Sequence, residues 1–303
     1  MTSSPQYYYW KDLKCAYSVH ASGNSVTPKS AIALIHPIGV GLSKAFWQPF
    51  IDAWLAQNPD FIIYNPDLIG CGDCDMPSVA YYPIDWAEQL QYFLENVVKQ
   101  PVLIIVQGAS FPIAIKLVPK VANADLIRGL VLTTPPAWRT MTESAKPATQ
   151  KLLWNLLFDS PLGLGQLFYL YARRRQFLKS FSERQLFADA DKVNARWLDS
   201  LEEGAKDLKS RYAVFSFLAG FWREDYAADI AKIEQPTLIV WGKQTSSISK
   251  ESYQESLKQR TDAYLKQLPQ ARVRTIEGRN VLPFESTSNF VEVVNEFWQQ
   301  IQE

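Results

Sequence analysis

Short apolar runs alternate with segments of helical periodicity along the first half of the chain. The run at residues 102–106 is rich in β-branched side chains, which is typical of a strand buried on both faces. Further strands are predicted at residues 6–20, 31–35, 61–64 and 129–132. Between these runs, Trp86, Leu90 and Phe93 recur at the spacing of one helix face. Strands that alternate with helices predict an α/β protein with a mostly parallel sheet.

The alternation stops in the middle of the chain and then resumes. From about residue 137 to residue 231, aromatic segments read as helices and no strand is needed. A buried strand is predicted again at 236–241 and a last strand at 272–276, before a closing helix at 289–301. We therefore expect a helical cap inserted into one α/β core. The predicted division is core 1–137, cap 138–232 and core 233–303.

Polar residues lie within a few positions after four of the predicted strands. They are His36, Asp67, Ser110 and Thr134. In a parallel sheet the carboxyl ends of the strands share one edge, and ligands bind beyond that edge. We therefore expect these four side chains to lie near one another.

The stretch PVLIIVQGASFPIAIKLVPKV, residues 101–121, combines a strand, a tight turn and a helix, with Ser110 in the turn. This layout is typical of a nucleophile elbow, whose usual pattern is G-x-S-x-G. Here the pattern reads GASFP, so Gly108 and Ser110 match and Pro112 replaces the second glycine. Ser110 is thus the candidate nucleophile.

The charge balance and the aromatic content of the chain favour some classes of function over others. Thirty-one basic and 31 acidic residues balance to zero, so nothing in the overall charge favours nucleic acid or an anionic membrane. Ten Trp, 14 Tyr and 16 Phe favour either a bulky core or an apolar cavity. Phe217, Phe221 and Trp222 in the predicted cap are candidates for contact with a small apolar ligand.

The apolar runs, the first residues and the cysteines bear on the cellular compartment of the protein. No apolar run approaches ~18 residues, so no membrane-spanning helix is predicted. The segment MTSSPQYYYWKD lacks the features of a signal peptide, and three Cys do not make a disulfide framework. These observations predict a soluble protein in a reducing, cytoplasmic compartment. Cys71 and Cys74 form a C-x-x-C match, but neither a thioredoxin-like context nor a second zinc-binding pair accompanies it.

The order of motifs resembles the α/β-hydrolase superfamily from one end of the chain to the other. The motifs are HPIG, NPDLIGCGDCDMP, WAEQL, GASFP, RGLVLTTPP, PTLIVWG and GRNVLPFE. The likeness is greatest to the group with a single helical cap between the sixth and seventh strands. It implies an eight-stranded sheet and, usually, hydrolysis of an ester, amide or similar bond by Ser, His and Asp. We expect no cofactor and no metal.

Two triad positions depart from this pattern. The acid usually lies in a WGxxD motif, and here WGKQT places Thr245 at that position. The base usually lies in a GHxPxxE motif, and here NVLPFE places Val281 there. The chain has only two histidines, His20 and His36, so the C-terminal loop contains no histidine. Without base and acid the triad mechanism loses the activation of its hydroxyl.

Other residues of the chain could replace the missing base and acid of the triad. His36 follows the strand expected beside that of Ser110, although the resemblance implies a structural role for it. Asp67 or Glu285 could supply a carboxylate base, and both match positions that the superfamily keeps for structure. The resemblance implies an oxyanion hole formed by the backbone N–H groups of Ile38 and Phe111.

Three functions are therefore compatible with the sequence. The first is a superfamily member without ordinary serine-hydrolase turnover that binds a small apolar molecule under the cap. The second is an interaction protein whose cap or 278–287 loop contacts a protein partner. The alternative is an active serine hydrolase that uses Ser110 with an unusual base such as His36. The lost triad positions favour the first two.

Overall fold

The computed structural model describes residues 4–22, 30–158, 162–246 and 255–302. These residues form a single eight-stranded sheet with the order β1-β2-β4-β3-β5-β6-β7-β8. The strands are β1 (Gln6–Trp10), β2 (Leu13–Ala21), β3 (Ser30–Ile35), β4 (Phe61–Pro66), β5 (Val102–Gln107), β6 (Ile127–Thr133), β7 (Thr237–Gly242) and β8 (Arg272–Ile276). The predicted fold class is confirmed.

The sheet is mostly parallel because helices connect most of its strands. β2 pairs antiparallel with both β1 and β4, and the remaining pairs run parallel. At the centre of the sheet, Ile32 on β3 pairs with Ile63 on β4 and with Leu103 on β5. The parallel arrangement brings the carboxyl ends of β3 to β7 to one edge.

Helices flank the sheet and fill the connection between β6 and β7. The described residues form α1 (Gln48–Gln57), α2 (Pro83–Phe93), α3 (Phe111–Leu117), α4 (Trp138–Thr142), α5 (Pro147–Leu157), α6 (Leu164–Ala172), α7 (Arg175–Phe181), α8 (Ala195–Gly204), α9 (Arg211–Leu218), α10 (Ala227–Ile230), α11 (Leu257–Gln267), α12 (Leu282–Glu285) and α13 (Thr287–Gln300). We call α4 to α10 the helical insertion. Its division from the rest as a separate domain stays a prediction.

The core lies on both faces of the sheet. On β5, Ile104 and Val106 belong to one buried cluster, whereas Leu103 and Ile105 belong to a second cluster on the opposite face. This alternation explains the continuous apolar run in the sequence, because a central strand covered on both sides has no polar face. α2 and α3 pack together, and α1 packs against α13.

Several details differ from the sequence-based expectations. The period over residues 84–98 predicts one helix, but α2 ends at Phe93 and a π-helical turn, Leu94–Val98, follows it. The position of His20 beside a turn predicts a surface histidine, yet His20 is buried on β2 and its Nε2 lies 2.8 Å from the Ser18 hydroxyl. The sequence also predicts a turn at 21–25 and a helix at 251–267. Part of that turn, the start of that helix and part of the loop after β7 lie outside the described residues. Within the described ranges, no helix combines the length and apolarity that crossing a bilayer requires.

Candidate active site

The turn between β5 and α3 is made by Gly108. β5 ends at Gln107, and Gly108 adopts a left-handed φ of 57°. A short 3-10 turn, Gly108–Ser110, then leads into α3, where Pro112 occupies the first helical turn. Ser110 has an ordinary right-handed backbone, with φ −83° and ψ −2°. The residue in the sharp strand-to-helix turn is therefore Gly108, and Ser110 lies two positions further along.

The surroundings of Gly108 are open, whereas those of Ser110 are closed. A Cβ atom added to Gly108 would have no other heavy atom within 4 Å. Gly108 and Ala109 line a large cavity, whereas Ser110 does not contribute to its wall. The Ser110 side chain is 1% exposed, and its hydroxyl donates a hydrogen bond to the backbone oxygen of His36 at 2.9 Å. This bond joins the ends of β3 and β5 below the cavity.

The predicted pair of Ser110 and His36 is brought together through the His36 backbone. The His36 ring is fully buried, and its Nδ1 lies 2.8 Å from the oxygen of Pro37. Because a carbonyl can accept but not donate, Nδ1 carries the proton. Nε2 then accepts a hydrogen bond from the backbone N–H of Leu68 at 3.0 Å. Burial lowers the pKa of His36, while the Asp67 carboxylate 4.0 Å from Nε2 partly opposes this shift.

The predicted oxyanion-hole residues take different places. Ile38 lines the cavity. Phe111 is fully buried, and its N–H donates to the Gly108 oxygen within the turn. An amide used in this way is not directed toward a ligand in the cavity.

Thr245 and Val281, the residues that the sequence predicts at the acid and base positions, both make structural contacts. The Thr245 hydroxyl accepts a hydrogen bond from the Gly242 N–H and donates one to the Arg279 oxygen, both at 2.9 Å. It therefore braces the loop after β7. Val281 is buried and contributes an apolar surface to the cavity wall.

Next to these positions lies a network of neutral side chains that the sequence did not predict. Gln107 Nε2 donates to the backbone oxygen of Asn280 at 2.7 Å and to the Thr134 hydroxyl at 3.0 Å. The Thr134 hydroxyl donates to the same Asn280 oxygen at 3.1 Å. Asn280 Nδ2 in turn donates to the backbone oxygens of Gln185 and Ser246. Their positions in the sequence could have indicated this network, since Gln107 directly precedes the turn and Asn280 directly precedes Val281.

The candidate carboxylate bases are engaged by backbone amides. Asp67 is fully buried and accepts from the N–H groups of Lys44 and Asp73, and from the Lys44 ammonium at 2.6 Å. Glu285 accepts from the N–H groups of Ala188 and Arg279. Asp67 thus organises the loop after β4, and Glu285 ties the helical insertion to the loop after β8.

The C-x-x-C pair is a packing feature. Cys15, Cys71 and Cys74 are all free thiols and all buried. Burial raises the pKa of Cys71 and that of Cys74, so both stay protonated. Cys74 Sγ donates to the backbone oxygen of Asp67 at 3.2 Å. Among the described residues, no cluster of three or more His, Cys, Asp or Glu side chains is arranged to hold a metal ion.

A cavity of about 400 Å³ lies between the sheet edge and the helical insertion. Phe217 and Trp222 line it and stack on each other, with ring centroids 5.3 Å apart. Phe221 does not line it and instead stacks on Tyr82 at 5.1 Å. In the described part of the wall, Arg260 is the one charged residue, and burial lowers its pKa while Glu255 opposes the shift.

Solved structures share this architecture at low sequence identity. An esterase from Thermogutta terrifontis aligns with a TM-score of 0.69 at 14% identity, over 99% of this chain and 100% of the other. An esterase from Exiguobacterium antarcticum gives 0.72 at 15% identity over the whole of both chains. A bromoperoxidase from Bacillus anthracis gives 0.70 at 17% identity, over 98% of this chain and 100% of the other. These likenesses establish the fold and leave the reaction open.

Sequence comparison assigns the family. No curated protein matches the chain significantly. The model of the alpha/beta hydrolase family matches residues 32–295, which span both parts of the core and the helical insertion. The chain therefore belongs to the alpha/beta hydrolase family.

Proposed function

We propose that this protein binds a small apolar molecule in its cavity and does not carry out ordinary serine-hydrolase turnover. The observation that carries this proposal is the position of Gly108. A nucleophile elbow exposes its hydroxyl by placing it on the sharp turn after the strand. Here that turn residue is a glycine, and the hydroxyl of Ser110 is buried and bonded to a backbone oxygen.

The missing base supports the same conclusion. A serine hydroxyl needs a base within hydrogen-bond reach to become a good nucleophile. Both ring nitrogens of His36 are engaged by backbone groups of Pro37 and Leu68, and burial disfavours its protonated form. Gln107, Thr134 and Asn280 are neutral and cannot take up a proton at neutral pH.

The cavity itself supports ligand binding. Its volume of about 400 Å³ lies within the range of small-molecule sites. Apolar side chains dominate its wall, and Phe217 and Trp222 add a stacked aromatic surface. The lining therefore suits an apolar ligand better than a charged one. The buried free thiols support the expectation of a reducing, cytoplasmic compartment.

Activity-based labelling tests the non-catalytic part of the proposal. We expect a fluorophosphonate probe to leave the folded protein unlabelled, because no activated hydroxyl faces the cavity. Labelling that disappears in Ser110→Ala would contradict the proposal. It would favour the alternative, an active hydrolase that uses Ser110 with a base near His36.

Titration with the neutral fluorophore phenylnaphthylamine tests the ligand-binding part. Truncating Trp222 removes a large apolar surface from the wall, so Trp222→Ala should weaken binding about tenfold or more. Phe221→Ala is the matched control, because this ring stacks on Tyr82 outside the cavity wall. Equal affinities in both variants, or no binding to the wild type, would refute the assignment. Failure to bind would favour the interaction-protein hypothesis.

A further inference from the structure

The helical insertion exposes an apolar stripe on α6. Leu164, Leu167, Phe168 and Tyr171 follow the i, i+3, i+4, i+7 spacing of one helix face, and all four are exposed. Gly165, Tyr169 and Ala172 are buried on the opposite side. In an ordinary surface helix the apolar stripe faces the core. Here the larger apolar stripe faces outward.

The neighbouring helix extends this surface. α5 approaches α6 so closely that a Cβ atom on Gly165 would lie 2.0 Å from the backbone oxygen of Leu157. Leu152 and Leu156 on α5 are exposed, as is Leu162 in the connection. α9 packs against both helices, and its last residue, Leu218, is also exposed. We call these exposed side chains of α5, α6, Leu162 and Leu218 the apolar face. Contiguous apolar surfaces of this kind are typical of interaction sites.

The segment that carries most of the apolar face has an excess of basic residues. Residues 145–181 contain six basic side chains and a single acidic one, although the whole chain is neutral. Two of the six are paired with carboxylates outside this segment, Arg175 with Asp199 and Glu202, and Lys179 with Glu183. Lys146, Lys151 and Arg174 are exposed, and none of them forms an ion pair within the described residues. Arg174 also lies over the ring of Tyr171. Basic residues beside an outward apolar helix face are typical of attachment to an anionic lipid surface.

The apolar face is continuous with the cavity. Phe168 is 38% exposed and Leu218 is 44% exposed, and both also line the cavity. The wall of the cavity therefore reaches the surface at two residues of the apolar face. A molecule that enters here would move from an apolar surface into an apolar cavity without crossing water.

We propose that the apolar face docks on an anionic lipid bilayer, so that the cavity opens toward the lipid. The α6 stripe would insert into the headgroup region, and Lys146, Lys151 and Arg174 would contact lipid phosphates. Docking itself needs no ligand in the cavity. This proposal and the proposed function can therefore fail independently.

Vesicle flotation with the full chain tests the proposal. The probes are vesicles of pure phosphatidylcholine and vesicles in which about a third of the lipid is phosphatidylglycerol. We expect binding to the anionic vesicles, at least about tenfold weaker binding to the neutral ones, and loss of binding at high salt. Equal binding to both vesicles, or no binding to either, would overturn the proposal.

Charge-introducing variants locate the surface. Leu167→Glu on α6 and Leu152→Glu on α5 should each weaken anionic-vesicle binding about tenfold or more, because they put a carboxylate on the lipid side. Val79→Glu is the matched control, since Val79 is an exposed apolar residue outside the helical insertion. If the Leu variants bind like the control, the proposal is wrong. A stable dimer in solution that these Leu variants dissociate would show instead that a second copy covers the apolar face.

Discussion

Gly108 adopts a backbone conformation that costs side-chain-bearing residues roughly 1–2 kcal/mol. In a nucleophile elbow this strain is accepted because it exposes the reacting hydroxyl. A glycine relieves the strain and removes the side chain from the most accessible point of the turn. Ser110 then contributes a buried hydrogen bond between two strand ends, which typically stabilises a protein by about 1 kcal/mol.

Cysteine substitution at the two positions distinguishes their surroundings. The thiol introduced by Gly108→Cys should react with iodoacetamide at least about tenfold faster than the thiol introduced by Ser110→Cys, because reaction requires access. Open space surrounds the Gly108 Cβ direction, whereas the Ser110 side chain is buried. The rates are measured by mass spectrometry on the folded protein.

The wild type is the control for this experiment, since its Cys15, Cys71 and Cys74 are buried and should react slowly. Faster modification of the Ser110→Cys variant would contradict the assignment. It would mean that position 110, as the G-x-S motif predicts, faces the cavity.

The motif predicts Ser110 at the tip of the turn between β5 and α3, and in the structure Ser110 is the last residue of the short 3-10 turn there. Motif matching does not reveal which residue takes the left-handed conformation. That depends on where β5 stops pairing, and the last pair joins Gln107 to Thr133. The network of Gln107, Thr134 and Asn280 was missed for a similar reason, because Asn280 lies 173 positions away from Gln107.

At the scale of elements, α8 contacts the loop after β3 through glycine backbones. A Cβ atom on Gly204 would lie 2.1 Å from the backbone oxygen of Gly41. A Cβ atom on Gly41 would in turn lie 1.9 Å from the backbone oxygen of Leu201. Leu201 and Val40 both line the cavity, so this close approach shapes its wall.

Gly204→Ala should therefore destabilise the protein. Helix propensity alone predicts a gain of up to about 1 kcal/mol for this change. The contact with the Gly41 backbone cannot relax by rotating a side chain, so we expect a net loss of about 1–3 kcal/mol. Urea denaturation measures the difference, and phenylnaphthylamine affinity should fall as the wall shifts.

Glu203→Ala is the matched control on the same helix, because the Glu203 side chain is exposed. A Gly204→Ala variant at least as stable as the wild type would show that α8 does not pack this closely.

Periodicity predicted the strands and most helices because central strands and core-facing helices bury their apolar residues. α6 shows the limit of that inference. Its apolar spacing predicts a helix correctly, but the stripe faces outward. Spacing reports which residues share a face and cannot report what that face meets.

The net charge of zero conceals an uneven distribution of basic and acidic residues along the chain. The basic residues between 145 and 181 are balanced by acidic residues elsewhere in the chain. The expectation against an anionic membrane rests on the total charge alone, whereas the proposed docking rests on the local charge. Attraction to a surface decays within about 10 Å at moderate salt, so the local charge of the docking face matters more than the total.

Histidine burial makes the stability of the whole molecule depend on pH. Burial lowers the pKa of both His20 and His36 below the unfolded value, and neighbouring Asp52 and Asp67 oppose it only in part. Between the folded and unfolded pKa values, the unfolded chain therefore binds more protons than the folded one. The free energy of unfolding should be highest above about pH 6.5 and should fall as the pH decreases below it.

The slope of this decrease is limited to about 1.4 kcal/mol per pH unit for each histidine. Carboxylates with lowered pKa values, such as Glu88 and Asp229, contribute at more acidic pH, because their unfolded values lie near 4. Urea denaturation should therefore give a lower free energy of unfolding at about pH 5.5 than at about pH 7. The His36→Gln variant should show a smaller difference between the two pH values, and the double variant that also carries His20→Gln should show a still smaller one. An unchanged slope in the double variant would mean that neither ring is held neutral by the fold.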